Sequence, residues 1–382
     1  MAPSRSLPAL LALVLATGCG ASDSTPSDTA SPDVPPDALP DSLTDTASPD
    51  VPPDASPDSL PGDSASLDAG PDEEATPPVY PLDDTLRLNH LQAKGTHNSY
   101  HMWPPEGVFL QDFAYEMPPL PDQLELSGIR QFELDIHYDP ADGLQVYHAP
   151  VIDANTTCLT LGECLSQIFD WSQANPGHHA VFVFIEPKDD VDPIKLTDKY
   201  DLMDETILSA WPRERLLAPD DVRGSAATLK AAILDTGWPT LGQTRDKLAV
   251  VMLDTGIHRT NYLAEHPNLE GRIMFVLSSG EEDFSSVIKI DDPESGSAEI
   301  QKRVQQGFIV RTRTDEMPGV AEFARMKTAL DSGAHFLSTN YPAPVPDFEF
   351  VLDLPGGTPS RCNPLTAPPE CTSPDIEALP GR

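Results

Sequence analysis

Four short stretches carry side chains that could do chemistry together. The first, Leu91–His101, reads LQAKGTHNSYH. An apolar start runs into Gly95, then Thr96, His97, Asn98 and Ser99, the pattern of a strand opening into a loop. Small residues there let a ligand come close to the backbone. The His97 imidazole can move protons at neutral pH. The neutral amide oxygen of Asn98 suits a hard cation. Alone, the stretch reads best as a polar turn closing a strand. The partners supplied later in the chain raise the functional reading.

The second stretch, Arg130–His137, reads RQFELDIH. Glu133 and Asp135 are two residues apart, so a strand turns both to one face and Phe132, Leu134 and Ile136 to the other. Two such carboxylates repel unless something positive lies between them. A bound cation is the economical answer; solvated or salt-bridged carboxylates are the alternative. The third, Leu144–Pro150 (LQVYHAP), ends a short strand at a second histidine, His148. By itself His148 is more readily structural than catalytic. The fourth, Val181–Lys188 (VFVFIEPK), is a buried strand ending in Glu186 and Lys188, again on one face. His101 and His137 stand near these groups without a task, and His137 is expected to point away from the acid pair. His178 and His179 are expected in a loop.

The elements that must position these groups follow from the alternation of apolar runs and amphipathic stretches. Expected strands are His90–Lys94, Gln131–His137, Ala180–Glu186, Leu248–Leu253, Ile273–Leu277, Phe308–Arg311 and His335–Ser338, with a doubtful one near Leu216. Expected helices are Leu161–Asn175, Thr197–Trp211, Gly224–Ile233, Ala298–Gln306 and Val320–Ser332. Repeated βα units mean a mostly parallel sheet, and their number suggests an α/β fold of the (β/α)8 TIM-like barrel type. A doubly wound sheet is the runner-up, but no Gly-rich GxGxxG turn follows the first strand. Barrel enzymes carry catalytic groups at the C-terminal ends of the strands, where all the groups above are expected. Trp103, Phe109 and Phe113 could touch lipid or simply close the barrel.

The 382 residues hold 61 Asp and Glu against 24 Lys and Arg, a formal net charge of −37. Fourteen of the acids, and no Lys or Arg, fall between Gly20 and Val79. Such a chain repels nucleic acid, which needs clustered bases. It also argues against docking on an anionic membrane through a polybasic patch. Leu7–Ala16 is apolar but too short for a usual membrane span, and follows Arg5. It ends in Ala16-Thr17-Gly18-Cys19, which looks like a bacterial lipoprotein signal with Cys19 as the lipidation site; an ordinary secretory signal is the alternative. Either way the chain is expected outside the cytoplasm, as a cell-surface or outer-membrane lipoprotein or a secreted protein.

Ala30–Leu43 recurs almost unchanged at Ala47–Leu60, both rich in Asp and Pro. Proline stiffens this segment, aspartate repels itself, and almost nothing can bury. The expected organisation is a signal at 1–18, a disordered acidic Pro-rich tether at 19–79, a catalytic barrel at 80–345 and a C-terminal extension at 346–382. An exported chain can form disulfides. Four cysteines remain after Cys19, and proximity pairs Cys158 with Cys164 and Cys362 with Cys371. Their spacing is a poor zinc pattern.

Taken in order, GTHNSYH at 95–101, ELDIH at 133–137, VYHAP at 146–150 and FIEPK at 184–188 resemble the calcium-dependent bacterial phosphatidylinositol-specific phospholipases C. GWPTLGQTRDK at 237–247, FIVRTRTD at 308–315 and GAHFLSTNYP at 333–342 extend the likeness over roughly Asn89–Pro342. The resemblance implies cleavage of a membrane phosphatidylinositol, through a 1,2-cyclic phosphate, to inositol phosphate and diacylglycerol. It implies Ca2+, with Mg2+ as the alternative, on Asn98, Glu133, Asp135 and Glu186. The catalytic histidines would be His97, donating to the phosphoryl oxygen, and His148, protonating the leaving oxygen. Glu133 or Glu186 would be the base. Lys188, Arg311 or Arg313 would hold the phosphate, with salt bridging across the mouth as the alternative for both arginines. Tyr341 would stack on the inositol ring or serve as a rim aromatic. One departure is Asn340, where Asp is expected before Tyr341. Competing readings are a glycerophosphodiester phosphodiesterase or sphingomyelinase-D-like lipase, which share the acid and histidine pattern but open with His-Arg, and a non-catalytic lipid- or calcium-binding lipoprotein. A monomer is expected, with no nucleic-acid partner.

Overall fold

The computed structural model describes residues 78–107, 110–189, 195–357 and 359–377. The expected signal, Cys19, nearly all of the tether and Phe109 lie outside these residues. Among the described residues no helix is long and apolar enough to cross a membrane.

Among the described residues ten strands share one sheet: β1 (Leu91–Thr96), β2 (Ile129–Asp139), β3 (Gly143–Val146), β4 (Val181–Pro187), β5 (Leu248–Met252), β6 (Phe275–Val276), β7 (Val287–Lys289), β8 (Ile309–Arg313), β9 (Phe336–Thr339) and β10 (Ser360–Cys362). Eight are parallel and run side by side from β6 through β5, β4, β2, β1, β9 and β8 to β7. A single parallel bridge, Leu277 to Val287, joins the two ends. The Ser278 backbone N–H and hydroxyl both donate to the Val287 carbonyl there, each at 3.0 Å. The product is a near-closed parallel barrel flanked by helices, the (β/α)8 architecture that the βα alternation implies.

Three expectations need correction. Strand β3 is not a barrel strand: it runs antiparallel to the C-terminal half of β2, with Ile136 opposite Val146 and Asp139 opposite Gly143. His148 therefore reaches the mouth from a hairpin arm. Leu216 makes only one parallel bridge, to Leu248, while β7 supplies the barrel strand in its stead. The helix expected over Gly224–Ile233 is two, Pro219–Arg223 and Leu229–Asp235, parted at Gly224 with φ +53°.

Along β4, Phe182 and Phe184 alternate with the same parity as Glu186. The Phe182 and Phe336 ring centroids stand 4.7 Å apart, and those of Phe184 and Phe336 6.3 Å. An aromatic layer of this kind contributes roughly 1.5–3 kcal/mol per buried ring and makes the barrel a packed support. Gly95 has a different use from the one its sequence suggests. A Cβ there would meet Gln131 Oε1 at 2.0 Å, so the room expected for a ligand is filled by Gln131.

Both expected disulfides form. Cys158–Cys164 clips the segment leading into helix Leu161–Ala174. Cys362–Cys371 secures β10, which pairs antiparallel with the start of β1. Residues 359–377 thus pack under the barrel, where the Glu377 carboxylate accepts hydrogen bonds from Arg130 and from the His179 N–H. His178 and His179 precede β4 as expected but are buried, and burial pulls His179 down to about 3.

Candidate active site

Strands β2 and β4 are neighbours in a register that sets Asp135 opposite Glu186. Glu133 lies two residues back on the same face of β2. One oxygen from each of these three carboxylates falls within 4.8 Å of the others. An ion held at about 2.3–2.6 Å from each ligand needs oxygens no farther apart than roughly that. Glu133 and Asp135 are buried, and Asp135 Oδ1 has no hydrogen-bond partner. Three crowded carboxylates, two of them buried, are unfavourable unless positive charge joins them. The all-oxygen set therefore fits a hard divalent ion.

Asn98 stands just past the end of β1, buried, with φ +45°, a left-handed conformation that Asn tolerates. Two bonds pin its loop to β2. The Ser99 N–H donates to the Glu133 carbonyl at 2.9 Å, and the Glu133 N–H donates to Ser99 Oγ at 2.8 Å. Asn98 is thereby held beside the acid pair, with its amide turned to the Tyr115 hydroxyl.

Two cations compensate the acids. Lys188 Nζ lies 2.7 Å from Glu186 Oε1 and 3.1 Å from Asp135 Oδ2. Arg311 is buried inside the mouth and donates to the carboxylates of Glu133 and Asp291 and, at 3.1 Å, to Ser338 Oγ. Of the two readings open for Arg311, its contacts are those of the salt bridge. Arg313 donates to the Glu316 carbonyl at 3.2 Å, and its buried Nε has no partner. Even with both cations present, burial pushes the Asp135 carboxyl up to about 7, with Glu186 and Glu133 adding to the shift and Lys188 opposing it. Burial also raises Glu133, against the pull of Arg311.

The two candidate histidines have opposite electrostatics. His97 Nδ1 is 2.9 Å from Asn340 Oδ1, and its Nε2 is 4.0 Å from Glu133 Oε1. Burial, then the positive charges of Arg313 and Arg311, hold His97 well below the usual histidine value, so the ring is neutral. Burial would lower His148 as well. There the hydrogen bond and charge of Asp153, together with Asp135, win and raise it. His148 Nδ1 donates to Asp153 Oδ2 at 2.8 Å.

Other expected residues fall elsewhere. Tyr341 turns its hydroxyl to accept the Gly319 N–H at 2.6 Å, and its ring packs on Phe348 with centroids 4.6 Å apart. It lines an apolar cavity of about 710 Å³ together with Trp103, Met117, Asn340, Val345 and Phe348. His137 was expected to face away from the acids, yet it shares their parity on β2. Beyond the barrel rim it stacks on Tyr147, 3.8 Å between centroids, and donates to the Tyr147 carbonyl at 2.9 Å. Phe113 sets its ring edge-on to His148 at 5.1 Å. Sequence reasoning missed Asp153 and Asp291 and gave His101 no task. Asp153 comes five residues after His148, and that proximity was the only cue.

A family model described as "Phosphoinositide phospholipase C, Ca2+-dependent" matches residues 86–144 and 140–364. Among solved structures, the chain is similar to a calcium-dependent phosphoinositol-specific phospholipase C from Pseudomonas sp. in its myoinositol complex. The TM-score is 0.54 at 16% identity, over 74% of this chain and 98% of that one. It is also similar to a Ca2+-dependent phosphatidylinositol-specific phospholipase C from Streptomyces antibioticus, with TM-score 0.51 at 18% identity, over 67% of this chain and 95% of that one. At these identities the structural likeness shows a shared fold. No curated protein sequence matches the chain.

Proposed function

The chain belongs to the Ca2+-dependent phosphoinositide phospholipase C family, and from that premise we propose how its residues divide the work. It is a calcium-dependent phosphodiesterase of phosphatidylinositol-type lipids. Membership decides against the glycerophosphodiesterase, sphingomyelinase-D-like and non-catalytic readings.

We assign the calcium site to Asn98, Glu133, Asp135 and Glu186. The observation that carries this is the three-carboxylate cluster itself, in which buried Asp135 leaves Oδ1 without a hydrogen-bond partner and shares Oδ2 with the Lys188 ammonium. Bound there, the ion supplies positive charge that favours ionisation of the inositol 2-hydroxyl and offsets the phosphate. Of the two candidate bases we take Glu186, whose Lys188 partner is part-exposed, over Glu133, which the buried Arg311 engages. The 2-oxygen attacks phosphorus within its own molecule, an advantage on the order of 10⁵ M in effective concentration. His148 passes its Nε2 proton to the glycerol oxygen as that P–O bond breaks. Lys188 swings from Glu186 to the phosphate. Neutral His97 donates from Nε2 to the phosphoryl oxygen once the Asn340 amide turns its NH2 group toward Nδ1; an amide, unlike a carboxylate, can pair with either tautomer. Arg313 stands by for the same oxygen with its unpartnered Nε. The apolar cavity beside Asn340 receives the diacylglycerol end.

Product analysis on phosphatidylinositol, with calcium and with chelator, tests this. Inositol 1,2-cyclic phosphate and inositol phosphate with diacylglycerol are expected, only with calcium. A phosphate-bearing lipid with a free alcohol contradicts it.

We also propose an exported monomer, lipidated on Cys19 and held off the membrane by the acidic segment 19–79. The two disulfides support an oxidising compartment. The mass of the N-terminal peptide from expressing cells tests the lipid: an unmodified Cys19 sinks it.

A further inference from the structure

One charged group at the mouth has no part in the scheme above. Asp153 is fully buried, yet it lies between two imidazoles. Its Oδ2 accepts from His148 Nδ1 at 2.8 Å and from His101 Nε2 at 2.9 Å, and its Oδ1 lies 3.0 Å from the same His101 nitrogen. The other nitrogen of His101 is 3.1 Å from the Tyr115 carbonyl, and the His101 ring stacks on Tyr115 at 4.2 Å with an 11° tilt. Both His101 nitrogens face oxygen acceptors. His101 is immobilised from two sides and from one face.

The loop carrying Asp153 is as fixed as its anchor. Ala149 and Asp153 exchange both backbone hydrogen bonds, at 2.9 and 3.0 Å. The turn between them takes Val151 at φ +68°. His148 and the carboxylate that orients it thus share one short closed loop, and His101 docks that loop onto the barrel. With Nδ1–H committed to Asp153, Nε2 is the His148 nitrogen left for substrate.

We propose that Asp153 is the positioning residue of the proton donor. It selects the Nδ1–H tautomer of His148, keeps the second proton on Nε2, and aims that proton at the leaving oxygen, with His101 as its anchor. This rests on the reading of His148 as the acid. When the phosphorus–glycerol bond breaks, the electron pair stays on the glycerol oxygen and takes the Nε2 proton. His148 is left neutral, still carrying Nδ1–H. The attacking water of the second step returns a proton to Nε2. The other charged groups acting on His148 are Asp135 from β2 and Lys188 at the end of β4; neutral His97 past β1 is the remaining titratable group, and the Phe113 edge closes one side.

The test compares Asp153→Asn, Asp153→Glu and His148→Ala in the full chain on two substrates. One is phosphatidylinositol; the other is an inositol phosphodiester with a nitrophenol leaving group, which needs no proton. For Asp153→Asn on the lipid, kcat is expected to fall roughly tenfold or more with KM and calcium affinity unchanged. The alkaline limb of the kcat profile is expected to move down by about one pH unit. Asp153→Glu restores part of the rate. On the nitrophenyl substrate the Asp153→Asn defect is expected to disappear. A defect equal on both substrates, or one that weakens calcium binding, makes Asp153 merely structural and overturns the proposal. If His148→Ala is equally impaired on both substrates, the reading of His148 as the acid fails instead. A histidine NMR titration of the unmodified protein covers the case in which the variants do not fold. His148 must keep its Nδ1 proton throughout, and an Nε2–H neutral form overturns the proposal.

Discussion

Lys188 Nζ lies 3.1 Å from Asp135 Oδ2, so an ammonium stands where the acid cluster would meet a second cation. Burial opposes its charge, but Asp135 and then Glu186 more than offset this and hold Lys188 above the ordinary lysine value. In the proposed scheme the side chain has two uses, as counter-charge before calcium arrives and as phosphate ligand afterwards. In Lys188→Met, calorimetry is expected to show calcium binding several-fold tighter, because a like charge has gone. Turnover is expected to fall by about 10²-fold, because the phosphate has lost a donor. Weaker calcium binding together with normal turnover would remove Lys188 from both roles.

Asp135 gives the account a pH signature. Its carboxyl is pushed up to about 7 by burial first and by Glu186 and Glu133 next. Below that pH calcium must displace a proton, so affinity is expected to drop by about tenfold per unit as pH falls from 7 toward the ordinary aspartate value near 4. The sign for folding is the reverse of the usual carboxylate. A raised folded pKa stabilises the protonated protein, and that stability is lost as pH rises from about 4 through 7. Thermal melts in chelator should show Tm declining across this window, and calcium should abolish the decline. A flat calcium affinity between pH 5 and 7 (about two units) contradicts the assignment.

His148→Ala separates proton transfer from metal binding. The ring donates to Asp153 and is no metal ligand in this scheme. Turnover of phosphatidylinositol should fall by about 10²–10⁴-fold, with calcium affinity within error of the parent. Lost calcium affinity would move His148 into the metal shell.

Arg311 is a stability prediction. Its guanidinium holds Glu133 and Asp291 together under the proposed metal site. Arg311→Met leaves a buried Glu133 without its counter-ion, which in comparable cases costs about 3–5 kcal/mol. Denaturant melts should show that loss, and Arg311→Lys should recover only part of it, because a point charge cannot span both carboxylates. A melt unchanged by Arg311→Met would show that the pair does not support the fold.

The barrel was legible because β1, β2, β4, β5, β8 and β9 carry apolar runs long enough to register. Strand β7, three residues between polar loops, is too short for any periodicity to show. The acid pair of β2 and the Glu186 end of β4 were readable because strand alternation is local. Their convergence depends on the β2–β4 register, which only the fold supplies. Asp153 could not be assigned from sequence, since its task needs His101, fifty-two positions away, folded against it. The same holds for Arg311, whose partner Glu133 is 178 positions away and decides between phosphate ligand and internal counter-ion. The sequence singles out His148, but a hairpin carries it rather than a barrel strand, because nothing in LQVYHAP distinguishes an antiparallel arm from a parallel one.

Calcium titration by calorimetry, at neutral pH, on the intact protein beside Asp135→Asn and Glu186→Gln addresses the metal site most directly. The account predicts one calcium per chain, with affinity sharply reduced in both variants while their melts in chelator stay at or above that of the parent. Undiminished calcium binding in either variant would contradict it.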